Sequence, residues 1–487
     1  MIQNPSLTRS FNDKGLDLFS SILFGLFLSI VMMSAIAFHS TFNIIFYLLS
    51  LMVYIYILVY ELQMVERREF SFYITIPILI SATQNLYLSF VSPYADASQI
   101  QLMVITNFLY SAILIGVIYI KTPYRFNKAL YQKMLILFIV LVLYSLATII
   151  IFNAHITSAL ASLRNVMTPM LFILIGLIAS SNVILSRYLR YLSYIVIFVV
   201  IFGFAERFLI KDIWHIIHLP DLWTKKGLPL NAFTGLPGNF YSSEMVGGQQ
   251  LRRMVSSFAD PVNLGTFLFF GFMVAWYLRN KFLAILLIIS IGLAVSKGAI
   301  LGLLIFSVVW AYHKFSKAIF ILVMIGTCAA GGAFVVYSMM NSTMSMLLHI
   351  TGFFAAFPEL VNHPLGRGLG NIGVLAGLYS SGAQTEITES GLGMIIGQLG
   401  ILGLILYVYF FTFILKQSHT IQVRKDKILL QTLTLGILAN ITFNEVALSP
   451  NSSAVYFITI GIILGQWHAK TKDVGVKKKK NRIRFVW

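Results

Sequence analysis

The chain has 487 residues, of which 58% are hydrophobic and 11% charged, and its formal net charge is +18. A mean hydropathy of +0.85 excludes a water-soluble globular domain, because too little polar surface exists to cover the core. The positive charge does not mark a nucleic-acid binder either: the basic residues are spread through short connections, and the one dense run, "KKKKNRIR" at 477–484, suits anchoring beside anionic lipid.

Apolar windows of about 16–24 residues match a hydrocarbon layer of roughly 30 Å and predict about fourteen membrane spans. In chain order they fall near 16–38, 42–60, 71–91, 102–120, 133–152, 166–184, 189–207, 263–278, 282–296, 298–312, 317–338, 390–415, 428–446 and 453–468. Lipid offers the backbone no hydrogen-bond partner, so each span is expected to be helical and the fold class all-α, one polytopic membrane domain over 1–487. The first apolar run is too long for a signal-peptide core and lacks a small-residue cleavage site, so it reads as a retained helix. Most of the 35 Lys and Arg then lie on the side holding both termini, 416–427 and the basic tail 469–487. The positive-inside rule makes that side cytoplasmic. The single cysteine, Cys328, falls inside a span and offers neither a disulfide framework nor a thiolate metal site.

Two long connections, 208–262 and 339–389, break the rhythm of short loops and fall on the extracytoplasmic side. Within the first, "DIWHIIHL" has the pattern of a helix lying amphipathically along the membrane surface. His215 and His218 are spaced for a helical metal pair but read as interfacial side chains. No Asp-x-Asp pair or ordered His/Asp cluster stands in the loops, so no metal and no cofactor are expected.

The outer face carries few basic residues, and they sit at particular places. Arg164 immediately precedes a span. Arg252 and Arg253 open "RRMVSSFADPVNLG" before another, Lys297 lies in the tight turn "AVSKGA", and Arg367 sits in "HPLGRGLG". A cation kept beside hydrocarbon on the disfavoured side is costly unless it meets an anion, and guanidinium groups suit phosphate oxygens. Arg253, Arg164 and Lys297 together read as an anion site at membrane-interface depth. Arg252, Arg207 and the Lys225–Lys226 pair read as snorkelling or ion-paired side chains.

"RMVSSFADPVNLG" resembles the Arg-x-x-Ser/Gly-x-Phe-x-Asp/Asn-Pro-Asn segment of the O-antigen ligase and polymerase superfamily, the Wzy-type and WaaL-type membrane glycosyltransferases. "LAVSKGAILGLLI" (293–305), "HPLGRGLG" (363–370) and "ESGLGMIIGQLGILGLILY" (389–407) are similar, in the same order, to that family's Ser-Arg-Gly-Ala segment, its His-Pro-Leu-x-Gly-x-Gly segment and its motif before a Gly-hinged helix. "LRNVMTPML" (163–171) resembles its arginine-bearing helix start. The resemblance covers roughly 160–410. Lys297 replaces the usual arginine, and Glu389 stands where ligases carry a histidine, which favours a polymerase.

The resemblance implies a GT-C-like, metal-independent membrane glycosyltransferase of the bacterial cytoplasmic membrane. It would polymerise undecaprenyl diphosphate-linked oligosaccharide repeat units into an O-antigen, capsule or exopolysaccharide. Its partners would be the lipid-linked donor and acceptor, membrane lipid, and a chain-length regulator and flippase of the same pathway, with no nucleic acid. Arg164, Arg253, Lys297 and Arg367 would bind the diphosphate and stabilise the charge that grows on the leaving group. Glu389 would be the general base or a helix N-terminal carboxylate. Asp260 would orient Arg253 or cap the next helix. His363 would be a second acceptor-side base or a turn residue. A ligase transferring finished glycan and a lipid-linked oligosaccharide flippase are the competing classes, the latter disfavoured by two unequal loops whose charges face one side.

Overall fold

The computed structural model describes residues 71, 73–101, 103–104, 113, 116, 128–246, 249–341, 350–373, 376–377 and 389–483. The expected spans at 16–38 and 42–60, nearly all of 102–120, and most of "TEITES" lie outside the described residues. What is described is mostly helical. Six helices among the described residues are long and apolar enough to cross a membrane, in keeping with an all-α membrane protein.

The helices are α1 (Ile76–Val91), α2 (Lys128–Ile151), α3 (Ile156–Ala179), α4 (Leu185–Phe204), short α5 (Ile213–Ile216) and α6 (Leu219–Lys225), α7 (Pro261–Leu278), α8 (Lys281–Ala294), α9 (Lys297–Lys314), α10 (Lys317–Asn341), short α11 (Ala356–Asn362), α12 (Gly391–Ser418), α13 (Arg424–Phe443) and α14 (Pro450–Ile483). The boundaries from α7 to α9 fall within about two residues of those expected. Helix α3 differs: it begins at Ile156 rather than 166. Its first turns, "ITSALASLRN", are too polar for a hydropathy window, yet Ser158, Ser162 and Asn165 are buried against protein.

The centre of the bundle is the seam between α3 and α14, and small residues make it. A Cβ on Gly176 would lie 2.2 Å from the carbonyl oxygen of Ile458, and one on Gly461 2.4 Å from that of Ile173. Four residues on, a Cβ on Gly465 would lie 2.1 Å from Ser180 Oγ. Lipid supplies little hydrophobic drive between helices, so backbones that approach this closely gain dispersion contacts instead. Large side chains pack around the seam: Phe172, Tyr456 and Phe457 are fully buried, and Tyr456 donates its hydroxyl proton to the Thr266 carbonyl on α7. By contrast, no residue in the apolar stretch Lys317–Tyr337 of α10 is buried, as expected of a helix facing lipid.

The first long connection is a folded cap rather than a membrane-surface helix. Trp214, Ile217, Leu219 and Leu222 of "DIWHIIHLPDL" are buried with Phe240, Val255 and Leu88 in a second apolar cluster. The expected single amphipathic helix is only the short α5, ended before His218 at φ 61°, and Trp214 and Ile217 are covered by protein while Ile216 is exposed. After α6 the chain forms a hairpin of β1 (Tyr241–Val246) and β2 (Gln249–Arg252), antiparallel with Tyr241 opposite Arg252. This is a local departure from an all-helical chain, at a place where no transmembrane length constrains the backbone.

The α3–α14 seam makes a direct prediction. Gly176→Leu or Gly461→Leu should destabilise the purified protein by at least the roughly 1–3 kcal/mol typical of overpacking, read as a lower thermal midpoint. Gly292→Leu, whose Cβ meets nothing within 4 Å, should leave the midpoint unchanged.

Candidate functional site

Helix α4 ends in one π-helical turn, Ala205–Leu209, which turns Glu206 into the protein. Its carboxylate is 1% exposed and would be prohibitively costly there without partners. It accepts from Trp214 Nε1 (3.1 Å), the Val255 amide (2.8 Å), the Ser256 amide (3.3 Å) and Arg252 Nη2 (3.1 Å). Arg252 is therefore a structural ion pair, as its ordinary reading held, and its guanidinium also lies 4.5 Å from the Phe240 ring centroid. The first arginine of the motif is spent on placing the second.

Arg253 points the other way. Its Nε donates to the Ala294 carbonyl (2.9 Å) and its Nη2 to the Val295 carbonyl (3.1 Å), at the C-terminal end of α8, where helices leave acceptors unsatisfied. One residue further, Ser296 caps α9 through the Ala299 amide. Gly265 completes the joint, since a Cβ there would stand 1.9 Å from Ser296 Oγ. So "RRMVSSFADPVNLG" and "AVSKGA" are one structure: Arg253 and Gly265 hold the turn that carries Lys297, the half-buried first residue of α9.

Asp260 caps α7, accepting from the Val262 (3.2 Å) and Asn263 (3.3 Å) amides, with Asn239 Nδ2 at 3.2 Å. Burial raises its pKa, while those amides and the charge of Arg253 oppose the rise. Of the two expected roles, the cap of α7 is seen directly, and the guanidinium of Arg253 is held by the Ala294 and Val295 carbonyls.

Arg164 does not precede its helix but lies on the third turn of α3, where its guanidinium contacts Asn165 Oδ1 at 3.1 Å. Pro169 within that helix leaves the Asn165 carbonyl without its usual donor, so the turn is loosened beside the charge. Against it comes a residue that motif reading missed. Lys226, just past α6, donates to Asn85 Oδ1 (2.9 Å), and Asn85 in turn donates to the Phe258 carbonyl (2.6 Å) inside the motif. Burial first, and then repulsion by Arg164, lower the Lys226 pKa to about 8, while Asp260 pulls it back up. Arg164, Lys226, Arg253 and Asp260 are thereby gathered from three stretches of chain at one end of the bundle.

The second long connection docks on a broken helix. Within α12, Gly400 takes φ 60° and ψ −150°, a conformation essentially restricted to glycine. The carbonyls of Gly397 and Gln398 are met by the amides of Arg367 (2.8 Å) and Gly368 (3.1 Å), and the Ile401 amide donates to the Pro364 carbonyl (2.9 Å). The loop also reaches α3, where Ser158 Oγ donates to the Gly370 carbonyl (2.6 Å). Arg367 itself forms a bidentate pair with Glu359, at 2.7 and 2.8 Å. Its Nε and Nη2 serve that pair, which orders the loop. His363 is exposed at the C-cap of α11, the turn-residue reading.

Glu389 precedes the N-cap Ser390 of α12 and is half-buried. Its carbonyl accepts from the amide of Glu445 (3.1 Å), a carboxylate only 4% exposed that motif reading also missed. The signal for both Glu206 and Glu445 is a carboxylate inside an expected apolar span, which is costly enough to flag a role. In the first loop, His218 pairs with Asp221 at 3.6 Å. Among the described residues no three His, Cys, Asp or Glu side chains converge as a metal site would require. No protein-family model matches the chain, and no curated protein matches it.

The charge cluster predicts its own titration. With lysines reductively methylated using 13C, one dimethyl-lysine resonance should titrate near pH 8 and vanish in Lys226→Arg. Removing the neighbouring negative charge in Asp260→Asn should move that midpoint down, and removing the positive charge in Arg164→Gln should move it up. Midpoints unaffected by both substitutions would separate Lys226 from this cluster.

Proposed function

We propose that the chain is a metal-independent, GT-C-like glycosyltransferase that polymerises undecaprenyl diphosphate-linked oligosaccharides on the outer face of the bacterial cytoplasmic membrane. The observation that carries the reading is the gathering of Arg164, Lys226, Arg253 and Lys297 around the N-terminal ends of α7 and α9, with Asp260 the carboxylate coupled to the group. Half-buried cations at the end of a membrane bundle, beside helix N-termini, favour an anion that itself lies at membrane depth. A lipid diphosphate has that charge and that address. The ordered resemblance to Wzy-type polymerases is the second support, and its separate motifs are pieces of shared joints: the Arg253 segment with the Lys297 turn, and the Arg367 loop with the α12 break.

In this reading an acceptor hydroxyl oxygen attacks the anomeric carbon of the donor sugar. The carbon–oxygen bond to the diphosphate breaks, its electron pair leaves with the lipid diphosphate, and the cations stabilise that growing charge. The hydroxyl proton passes to a carboxylate, for which Glu389 remains the first candidate, with buried Glu445 beside it as the alternative.

Deletion of the protein should leave single repeat units on the gel profile of lipid-linked and surface polysaccharide. Long unattached chains would indicate a ligase instead, and loss of outward-facing lipid-linked units a flippase. Arg164→Gln and Lys226→Gln should cut chain length severely at normal protein abundance, whereas Arg252→Ala should lower abundance because it strands Glu206 without its counter-charge. In a purified system Glu389→Gln should lower turnover by about 10²–10⁴-fold and leave donor affinity near normal. Near wild-type turnover would transfer the base role to Glu445.

A further inference from the structure

At the end of α7 opposite Asp260, about 27 Å along the helix at roughly 1.5 Å per residue, three helices meet around a second cationic site. A cavity of about 320 Å³ is lined by Trp276 and Arg279 from the end of α7, Trp310 and Lys314 from the end of α9, and Arg424, Lys425 and Ile428 from the start of α13. Among the described residues no carboxylate lines it, and none of the four cations has an ion-pair partner.

Two of the four have an ordinary explanation. Arg279 and Lys314 stand at helix C-termini, where the macrodipole favours positive charge. Arg424 and Lys425 are the first two residues of α13, the end where the same dipole opposes them. Arg279 lies close enough to Lys425 to repel its charge, and Asp426 offsets only part of what burial and Arg279 together impose. Among the described residues the carboxylate nearest in sequence, Asp426, does not line the cavity, and its oxygens accept from the Tyr277 hydroxyl (2.8 Å) and the Trp467 indole (3.1 Å).

Three of the cations have defined positions. Lys425 Nζ sits 4.2 Å from the Tyr277 ring centroid and Lys314 Nζ 4.5 Å from that of Trp310. Arg279 occupies a left-handed C-cap, φ 60°, a position that helices usually give to glycine. Like charges fixed around a hollow, with indoles that belong at the water–hydrocarbon boundary, are arranged for an anion anchored in the bilayer.

We propose that this cavity binds the phosphate headgroup of an anionic phospholipid, clamping the ends of α7, α9 and α13. The site is separate from the glycosyl-transfer reading and stands whether or not that reading holds. The full chain, delipidated in zwitterionic detergent, is titrated with phosphatidylglycerol, phosphatidylcholine or inorganic phosphate, and bound lipid is counted by native mass spectrometry.

Phosphatidylglycerol should bind and phosphatidylcholine should not. Arg424→Gln/Lys425→Gln should weaken binding roughly 10–30-fold, from the usual gain per basic residue near an anionic surface. Arg279→Gln/Lys314→Gln, on two other helices, should do the same, so that misfolding of one variant cannot mimic the result. Lys416→Gln, exposed and outside the cavity, should bind as wild type does. Competition by equal inorganic phosphate would replace the lipid with a soluble phosphate as ligand. Equal uptake of phosphatidylglycerol by wild type and both double variants would overturn the site.

Discussion

A single buried carboxylate sets the position of nearly everything in the candidate site. Glu206 leaves the aqueous layer at the end of α4 and recovers its lost solvation from an indole, two backbone amides and a guanidinium. Each partner belongs to a different piece: Trp214 to the cap, Val255 and Ser256 to the approach to α7, Arg252 to the hairpin. Because an ionised carboxylate in this setting is tolerable only with its full complement of donors, those pieces are constrained jointly. Arg253 then follows Arg252 directly, and its reach to the end of α8 is fixed by its neighbour's pairing.

The same economy appears at the other joints. Arg253 satisfies carbonyls at the end of α8, Asp260 satisfies amides at the start of α7, and Ser296 does so for α9. Charged and polar groups that serve as caps are thereby drawn to one level of the bundle. A structural role and an electrostatic one coexist in the same side chains, so loss of activity alone says little about Arg253. Lys226 is more informative, because among the described residues its side chain hydrogen-bonds the Asn85 side chain, while its place at the end of α6 rests on its backbone amide, which a side-chain substitution keeps.

Where the sequence was legible, hydrophobic length did the work. The spans from α7 to α9 were placed closely because each is bounded by charge or by glycine, and the motif residues drew attention because cations beside hydrocarbon are expensive. The start of α3 was not legible: its serines and Asn165 look aqueous until Gly370 and Gln398 are seen packing on them. Lys226 looks in sequence like a snorkelling or ion-paired side chain because its partner stands 141 positions away. The pairing of Arg367 was not legible because Glu359, eight residues earlier, carries no motif. Charge shows in sequence, but whether a charge is already answered is a property of the fold.

The break in α12 also has a bearing on the order of assembly. A helix interrupted at Gly400 arrives in the bilayer with acceptors that lipid cannot satisfy. The amides of Arg367 and Gly368 that answer them, and the Pro364 carbonyl that accepts from the Ile401 amide, are synthesised before α12, so the partners exist by the time the broken turn needs them. Were the two segments reversed in the chain, the broken turn would have to wait, unpaired, in hydrocarbon. Placing the loop first lets a helix that could not persist alone be received by the segment that completes it.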